Sequence, residues 1–361
     1  MRKKKVKRKN ARKRKKIVIL RIKIKLSNMQ KRILIFIVTC LLFLGQGIHA
    51  QDAHFSQFYA NPLYLNPAFA GTNICPRIAL NFRDQWPSMK GTFMSFSASY
   101  DQHFDKIAGG IGVLAFGDRC GQDATIQSYE IGAMYSFKVK VSKKFNMRFA
   151  LQFSYLTYIL NTKNLTFGDM IDPKYGFIYQ TSENLDAWKN TTDHSFDFTA
   201  GFMGYTQHFY FGYAAHHLNR PQISFIQEER YRLPIKHTVH VGASFDVKRK
   251  SKKEHNFGDL SLSPNVIFQY QGGLMYMSEG LYVNLYPVTL GAWLRHSFKN
   301  VDAIIFSAGV EYEFIRVGYS YDLTISKLIN LTGGAHEVSL QFLLPCPEKR
   351  KPIKDLDCPS F

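Results

Sequence analysis

Residues 304–322 read IIFSAGVEYEFIRVGYSYD. Ile304, Phe306, Ala308, Val310 and Tyr312 occupy every second position, with Ser307, Gly309 and Glu311 between them. After a break at Glu313 the pattern resumes, with Ile315, Val317, Tyr319 and Tyr321 set against Arg316, Gly318, Ser320 and Asp322. Successive side chains of a strand point to opposite faces, so a period of two means a strand with one apolar face. Two such strands with almost nothing between them are spaced as a hairpin.

The pattern spreads outward over most of the chain. It is clear in 92–100, where Met94, Phe96, Ala98 and Tyr100 oppose Ser95, Ser97 and Ser99. It is equally clear in 128–137, 147–155, 195–202, 238–247 and 337–342. Weaker strands fill the gaps at 77–86, 107–116, 208–217, 264–271, 275–285 and 287–296. The total is about fourteen, and an even number returns both ends of a barrel wall to the same side of a membrane. With the first strand running outward, the connections 101–106, 140–145, 206–207, 286–287 and 313 fall on the periplasmic side and are short. The long connections 161–194 and 218–235 fall outside; the basic stretch Lys248 to Lys253 is a longer periplasmic turn. Short inner turns with long outer loops are the asymmetry of outer-membrane barrels. A soluble β-sandwich shares the alternation but not this asymmetry. The expected fold is all-β, a transmembrane antiparallel up-and-down β-barrel of about fourteen strands with an N-terminal plug-like segment. The polar face is then the lumen, and its small residues leave room for a plug or a narrow pore.

Composition agrees. Aromatic residues make up 15% of the chain, with 20 Tyr and 30 Phe, as lipid-facing bands and interface girdles require. After residue 50 no run of 18 apolar residues exists, which excludes a transmembrane helix there. Before it, Lys31 and Arg32, the apolar run Ile33 to Leu44, and the exit Gly45 to Ala50 have the form of a secretory signal peptide cleaved before Gln51. A lipoprotein would be processed at Cys40, but Thr39 precedes it and it lies mid-core. Residues 1–28 carry 15 Lys or Arg and no acid, and Met29 starts an ordinary signal peptide. The basic segment is read as an over-long gene start or a removed leader rather than a nucleic-acid arm. Of the 47 Lys and Arg, 17 precede residue 51, leaving 30 bases against 27 acids, so the overall charge of +20 belongs to the leader. A nearly neutral mature surface removes the electrostatic argument for nucleic acid. The expected organisation is a leader at 1–28, a signal peptide at 29–50, a plug-like segment at 51–75, a barrel at 76–344 and a periplasmic tail at 345–361. Export permits disulfides, and Cys346 and Cys358 in the tail could close a small loop.

Residues 51–71 read QDAHFSQFYANPLYLNPAFAG. Two Asn-Pro turns stand five residues apart, and each proline fixes φ and turns the residue before it away from helix. Phe55, Phe58, Tyr59, Tyr64 and Phe69 are too many aromatics for a solvated linker, so the segment should dock inside or at the lower rim of the barrel. Further stretches are LGAWLR at 290–295, GYSYDLTIS at 318–326 and GGAHEVSL at 333–340. In this order the four resemble the PorP/SprF family, outer-membrane proteins of the type IX secretion system of Bacteroidetes. The basic start and the cysteine-containing tail depart from the family pattern.

The resemblance implies a non-enzymatic role in protein export and, in gliding members, in delivery of surface adhesins. It implies partners among periplasmic lipoprotein and ring components of the machinery or a cognate secreted protein, besides outer-membrane lipid. It marks Gln51, Asp52, Phe55, Ser56, Gln57, Asn61, Pro62, Asn66, Pro67, Gly71, Trp293, Arg295, Asp322, His336 and Glu337 as motif positions with a structural or partner-binding role. No cofactor is implied.

Read singly, His54 has no ligand-spaced neighbours and is a packing residue of the plug. His216 and His217 point to opposite faces of a strand, cannot chelate together, and are taken as surface residues near a loop mouth. His336 and Glu337 are taken as an outer-rim pair. Arg295, Glu311, Arg316 and Asp322 fall on lumen-facing positions, as a salt-bridge ladder or a contact with plug or cargo. Trp86, Trp188 and Trp293 are taken as girdle or loop anchors. A diffusion porin is the main competing reading, and a barrel hydrolase lacks a G-x-S-x-G elbow or any triad cluster.

Overall fold

The computed structural model describes residues 52–346, apart from 74, 122–123, 163–164, 166, 173, 179–190, 226–230, 249–256, 299, 327–328 and 330. The expected signal peptide, Gln51, Trp188, most of the basic turn after Lys248 and the tail with Cys358 lie outside the described residues.

The wall consists of β1 (Arg77–Gln85), β2 (Phe93–Phe104), β3 (Gly109–Cys120), β4 (Ile126–Ser142) and β5 (Phe145–Leu160). The short hairpin β6 (Ile171–Asp172) and β7 (Gly176–Phe177) stands apart from it. The wall continues with β8 (Thr192–Tyr205) and β9 (Phe209–His216), and a second short hairpin, β10 (Gln222–Ile223) and β11 (Tyr231–Arg232), follows. Then come β12 (Lys236–Ala243), β13 (Phe245–Lys248), β14 (Leu260–Gln271), β15 (Leu274–Leu285) and β16 (Val288–His296). The last three are β17 (Val301–Tyr312), β18 (Ile315–Thr324) and β19 (Ala335–Leu343). Every pairing is antiparallel, and β1 pairs with both β2 and β19, so the sheet closes on itself. β12 and β13 both pair with β14 and are two halves of one wall strand, which gives a closed barrel of fourteen. The break falls at Ser244, inside the expected strand 238–247, where the Ser244 N–H donates to the His208 carbonyl at 2.8 Å.

One end of the barrel carries tight turns at 143–144, 206–208, 286–287 and 313–314 and a short 3-10 turn at Asp105–Ile107. The other end carries the long connections, including 161–191 and 217–235 with the two small hairpins. β4 and β5 run for 17 and 16 residues, well past the expected 128–137 and 147–155. At the turn end the alternation runs on, with Phe137, Val139 and Val141 on the outward parity and Lys138 and Lys140 on the lumen parity, and the ladder continues with Lys138 opposite Arg148 and Lys140 opposite Asn146.

The two faces of the wall are inverted relative to a water-soluble barrel. Ile131 is 64% exposed and Leu151 70%, with Phe82, Phe153, Phe196 and Val317 around the same outer surface. Asn81, Ser97, Thr199, Thr238 and Ser320 point inward and are buried. Closure satisfies every wall strand without leaving an edge, and an apolar outer belt is stable only against lipid. Among the described residues no helix is long and apolar enough to cross a membrane; the strands do it.

Candidate functional site: the plugged lumen

Residues 52–71 fill the lumen. Pro62 starts a single α-helical turn, Pro62–Leu65, and Pro67 a 3-10 turn, Pro67–Phe69. Proline is suited to the first helical position because its missing N–H would have had no partner there. Asn66 is extended, as a residue before proline should be, and its Oδ1 accepts from the Ala68 N–H at 2.9 Å. Its Nδ2 donates outward to the Phe202 and Tyr213 carbonyls at 3.1 and 3.3 Å. One asparagine therefore both shapes the turn and fixes it to β8 and β9. Asn61 accepts from Ser97 Oγ at 3.0 Å on β2.

The apolar side chains of the segment pack into the lumen. Phe58 meets Trp293 at 5.4 Å between ring centroids, Tyr59 meets Tyr210 edge-on at 5.9 Å, and Tyr282 meets Trp293 at 5.3 Å. Trp293 is 2% exposed, so it is a lumen residue, not a girdle anchor. It sits on the inward parity of β16, which period-two counting could have shown. Phe55 contacts Tyr64 at 5.2 Å, and His54 stacks on Tyr276 at 6.1 Å.

An ionic socket receives Ser56 and Gln57. Glu337 on β19 accepts the Ser56 N–H at 2.6 Å through Oε2 and the Gln57 N–H at 3.0 Å through Oε1. Asp322 on β18 accepts from Ser56 Oγ at 2.7 Å. Arg83 on β1 donates to Ser56 Oγ, Glu337 and Asp322 at 2.7, 3.2 and 2.8 Å. Arg295 on β16 donates to Asp322 at 2.9 Å and to Asp302 at 2.6 Å. Gln57 completes the joint by donating to the Glu337 carbonyl and accepting from Ser339 Oγ at 2.6 Å. Gly318 makes room for it, since a Cβ there would lie 2.6 Å from Gln57 Oε1. The charges are buried but paired and hydrogen-bonded, the only form in which burial is tolerable.

A second latch holds Asp52. His217, just past β9, bridges Asp52 at 2.9 Å and Asp197 at 3.0 Å, and Lys236 Nζ lies 3.5 Å from Asp52. Burial disfavours charge on both groups. The flanking carboxylates nevertheless raise the His217 imidazole to about 10, and His217 and Lys236 hold the Asp52 carboxyl well below its usual range. A third contact holds the segment's exit. The Gly71 N–H donates to Asp101, which also binds Arg77 at 2.8 Å, and Arg148 donates to the Ala70 carbonyl at 2.8 Å.

The structure thus brings together Asp52, Ser56, Gln57, Arg295, Asp322 and Glu337, and it adds Arg83, Asp101, Arg148 and His217. Arg83 and Arg148 fall in a weak strand and on a polar face where sequence reasoning singled out neither. Their signal was an arginine on lumen parity. Three further expectations are corrected. His336 and Glu337 are not a rim pair: His336 faces outward to Tyr319 at 2.7 Å, and Glu337 is buried in the socket. His217 is buried, not a surface residue. Cys346 bonds Cys75, with 4.8 Å between Cα atoms, rather than Cys358. Arg295 and Asp322 contact the plug, whereas Glu311 and Arg316 pair with each other at 3.0 Å. Among the described residues no cluster of His, Cys, Asp and Glu could hold a metal ion.

A family model for the type IX secretion system membrane protein PorP/SprF matches residues 48–342. The chain belongs to the PorP/SprF family. That match spans the plug and all the wall strands but the final residue of β19. PorP/SprF proteins are secretion-system membrane components, not an enzyme family. No curated protein matches the chain. Solved structures similar to this PorP/SprF protein include the toluene transporter TbuX of Ralstonia pickettii, at 10% identity and TM-score 0.45 over 84% of this chain and 100% of that one. A FadL homologue of Pseudomonas aeruginosa is similar at 11% identity and TM-score 0.43, over 74% and 90% of the two chains. The KdgM porin is similar at 8% identity and TM-score 0.33, over 74% and 99%.

Proposed function

We propose that this protein is a non-enzymatic outer-membrane component of the type IX secretion apparatus, supporting export or surface anchoring of secreted proteins through protein–protein contacts. Its partners are periplasmic lipoprotein or ring components of that apparatus, a cognate secreted protein, or both. In a gliding host the same contacts would serve delivery of surface adhesins. The loop end faces outward and the turn end the periplasm. The observation that carries the reading is the filled lumen: residues 52–71 occupy the space a diffusion pore would need, anchored at Glu337, Asn66 and Asp101. A barrel closed by its own chain is better suited to present surfaces than to pass solutes.

The test is affinity isolation of the tagged protein from outer membranes, followed by mass spectrometry. Co-purification of type IX components or of one large secreted protein is expected. A second reading, a solute channel, draws on the cavity of about 400 Å³ above the plug. It would take the lead if the protein came alone and conducted ions in a planar bilayer.

A further inference from the structure

The cavity of about 400 Å³ lies at the loop end, between the plug and the β10–β11 hairpin. Its walls are apolar and aromatic, with Leu114, Phe116, Leu156, Tyr64 and Tyr158 among them. Its charged groups are unbalanced. Four carboxylates line it, Asp52, Asp118, Glu130 and Asp197, against two cations, His217 and Lys236. Both cations are already engaged: His217 bridges Asp52 and Asp197, and Lys236 binds Asp52 and covers the Tyr64 ring at 4.9 Å. Asp118 and Glu130 have neutral donors alone among the described residues. Ser95 Oγ donates to Asp118 at 2.6 Å, and Gln152 Nε2 and Ser154 Oγ donate to one oxygen of Glu130 at 2.9 and 2.7 Å. Independently of the carboxylates, Gln152 is 4% exposed, lines the cavity and leaves its Oε1 without a donor. Asp197 Oδ1, in a residue 1% exposed, is also without one. Buried acceptors without donors are costly, and the missing complement is a group that only donates. An ammonium or guanidinium is such a group, and aromatic walls attract it further.

We propose that this cavity is a binding site for a cationic group carried on an apolar stem, with Glu130 and Asp118 as its counter-ions and Tyr64, Tyr158 and Phe116 as its walls. The volume suits one side chain or one small amine, since ligand pockets run from about 300 Å³ upward. Two sources share this chemistry, a free amine and a Lys or Arg side chain of a polypeptide. The proposal does not depend on the role in secretion.

The experiment is calorimetric titration of the detergent-purified full chain with three probes: phenethylamine, its neutral counterpart 2-phenylethanol, and capped Leu-Arg-Leu. The amine or the peptide should bind at least about tenfold more tightly than the alcohol, as one retained ion pair in a dry site provides. Glu130→Gln and Asp118→Asn, which keep shape and hydrogen bonding, should each weaken the cation about tenfold and leave the alcohol unchanged. A heat-modifiable gel band checks that both variants are folded barrels. Tighter binding of the peptide assigns the site to a basic side chain, and tighter binding of the amine assigns it to a free amine. Equal binding of alcohol and amine, no binding of either cation, or unchanged affinity in both variants overturns the proposal.

Discussion

Arg83 is 1% exposed and reaches three partners at once: the plug through Ser56, β18 through Asp322 and β19 through Glu337. Arg83→Met would leave buried Glu337 without a cation and Asp322 with Arg295 alone among the described residues. Uncompensated buried charge costs about 3–5 kcal/mol, so the urea midpoint of the purified barrel should fall by that equivalent. The Glu311–Arg316 pair is the control, since it is partly solvated. Arg316→Ala should cost about 0–1 kcal/mol, and an equal loss in both variants would contradict the socket. The Asp52–His217 latch adds a pH dependence. His217 is raised from 6.5 to about 10, so its stabilisation is complete below pH 6.5 and is lost as pH climbs through about 10. Asp52 is lowered, so its share is present above its ordinary value of 3.8 and is lost on strong acidification. Protection of the N-terminal segment from an added protease should therefore be greatest between about pH 4 and 6.5. Constant protection from pH 6 to 10 would show that the latch contributes nothing.

At the scale of elements, the segment 52–71 crosses β3 where Gly71, at φ +66°, rests on Gly110. A side chain at Gly110 would enter the space of Ala70 and Gly71. Gly110→Val should release the segment while the wall, held by its own ladder, remains closed. Limited proteolysis should then clip residues 52–71 quickly with the folded gel mobility retained; a variant as resistant as the parent would show a looser fit. This element also marks how far the sequence could be read. Its two Asn-Pro turns and five aromatics pointed to docking, and the alternation of 304–322 carried the wall. What stayed hidden were the partners. Glu337 and Ser56 lie 281 residues apart, and no local pattern encodes such a contact. The expected bounds of β4 and β5 stopped short of the ladder's ends, although Val139 and Val141 continue the outward apolar face beyond Phe137 and Lys138 and Lys140 fall on lumen parity. Trp293 was misplaced because a tryptophan suits an interface girdle as well as a packed lumen, and only its parity on β16 separates the two.

At the scale of the whole molecule, the disulfide Cys75–Cys346 joins the residues flanking β1 and β19, the two strands that close the barrel. The nine-residue ladder between those strands already holds the ends together. The bond should therefore contribute near the lower end of the usual range, about 2 kcal/mol. Cys346→Ser, or reduction, should lower the unfolding midpoint modestly and leave the barrel assembled, and peptide mapping should recover a Cys75–Cys346 cross-link. A Cys346–Cys358 peptide would overturn the assignment. The socket around Ser56 and Gln57 spans that same closing junction, with one arginine from the first wall strand and both carboxylates from the last two. A chain that stopped short of β18 would offer Ser56 and Gln57 neither of the carboxylates that bind them. Seating of residues 56 and 57 is therefore coupled to completion of the wall itself.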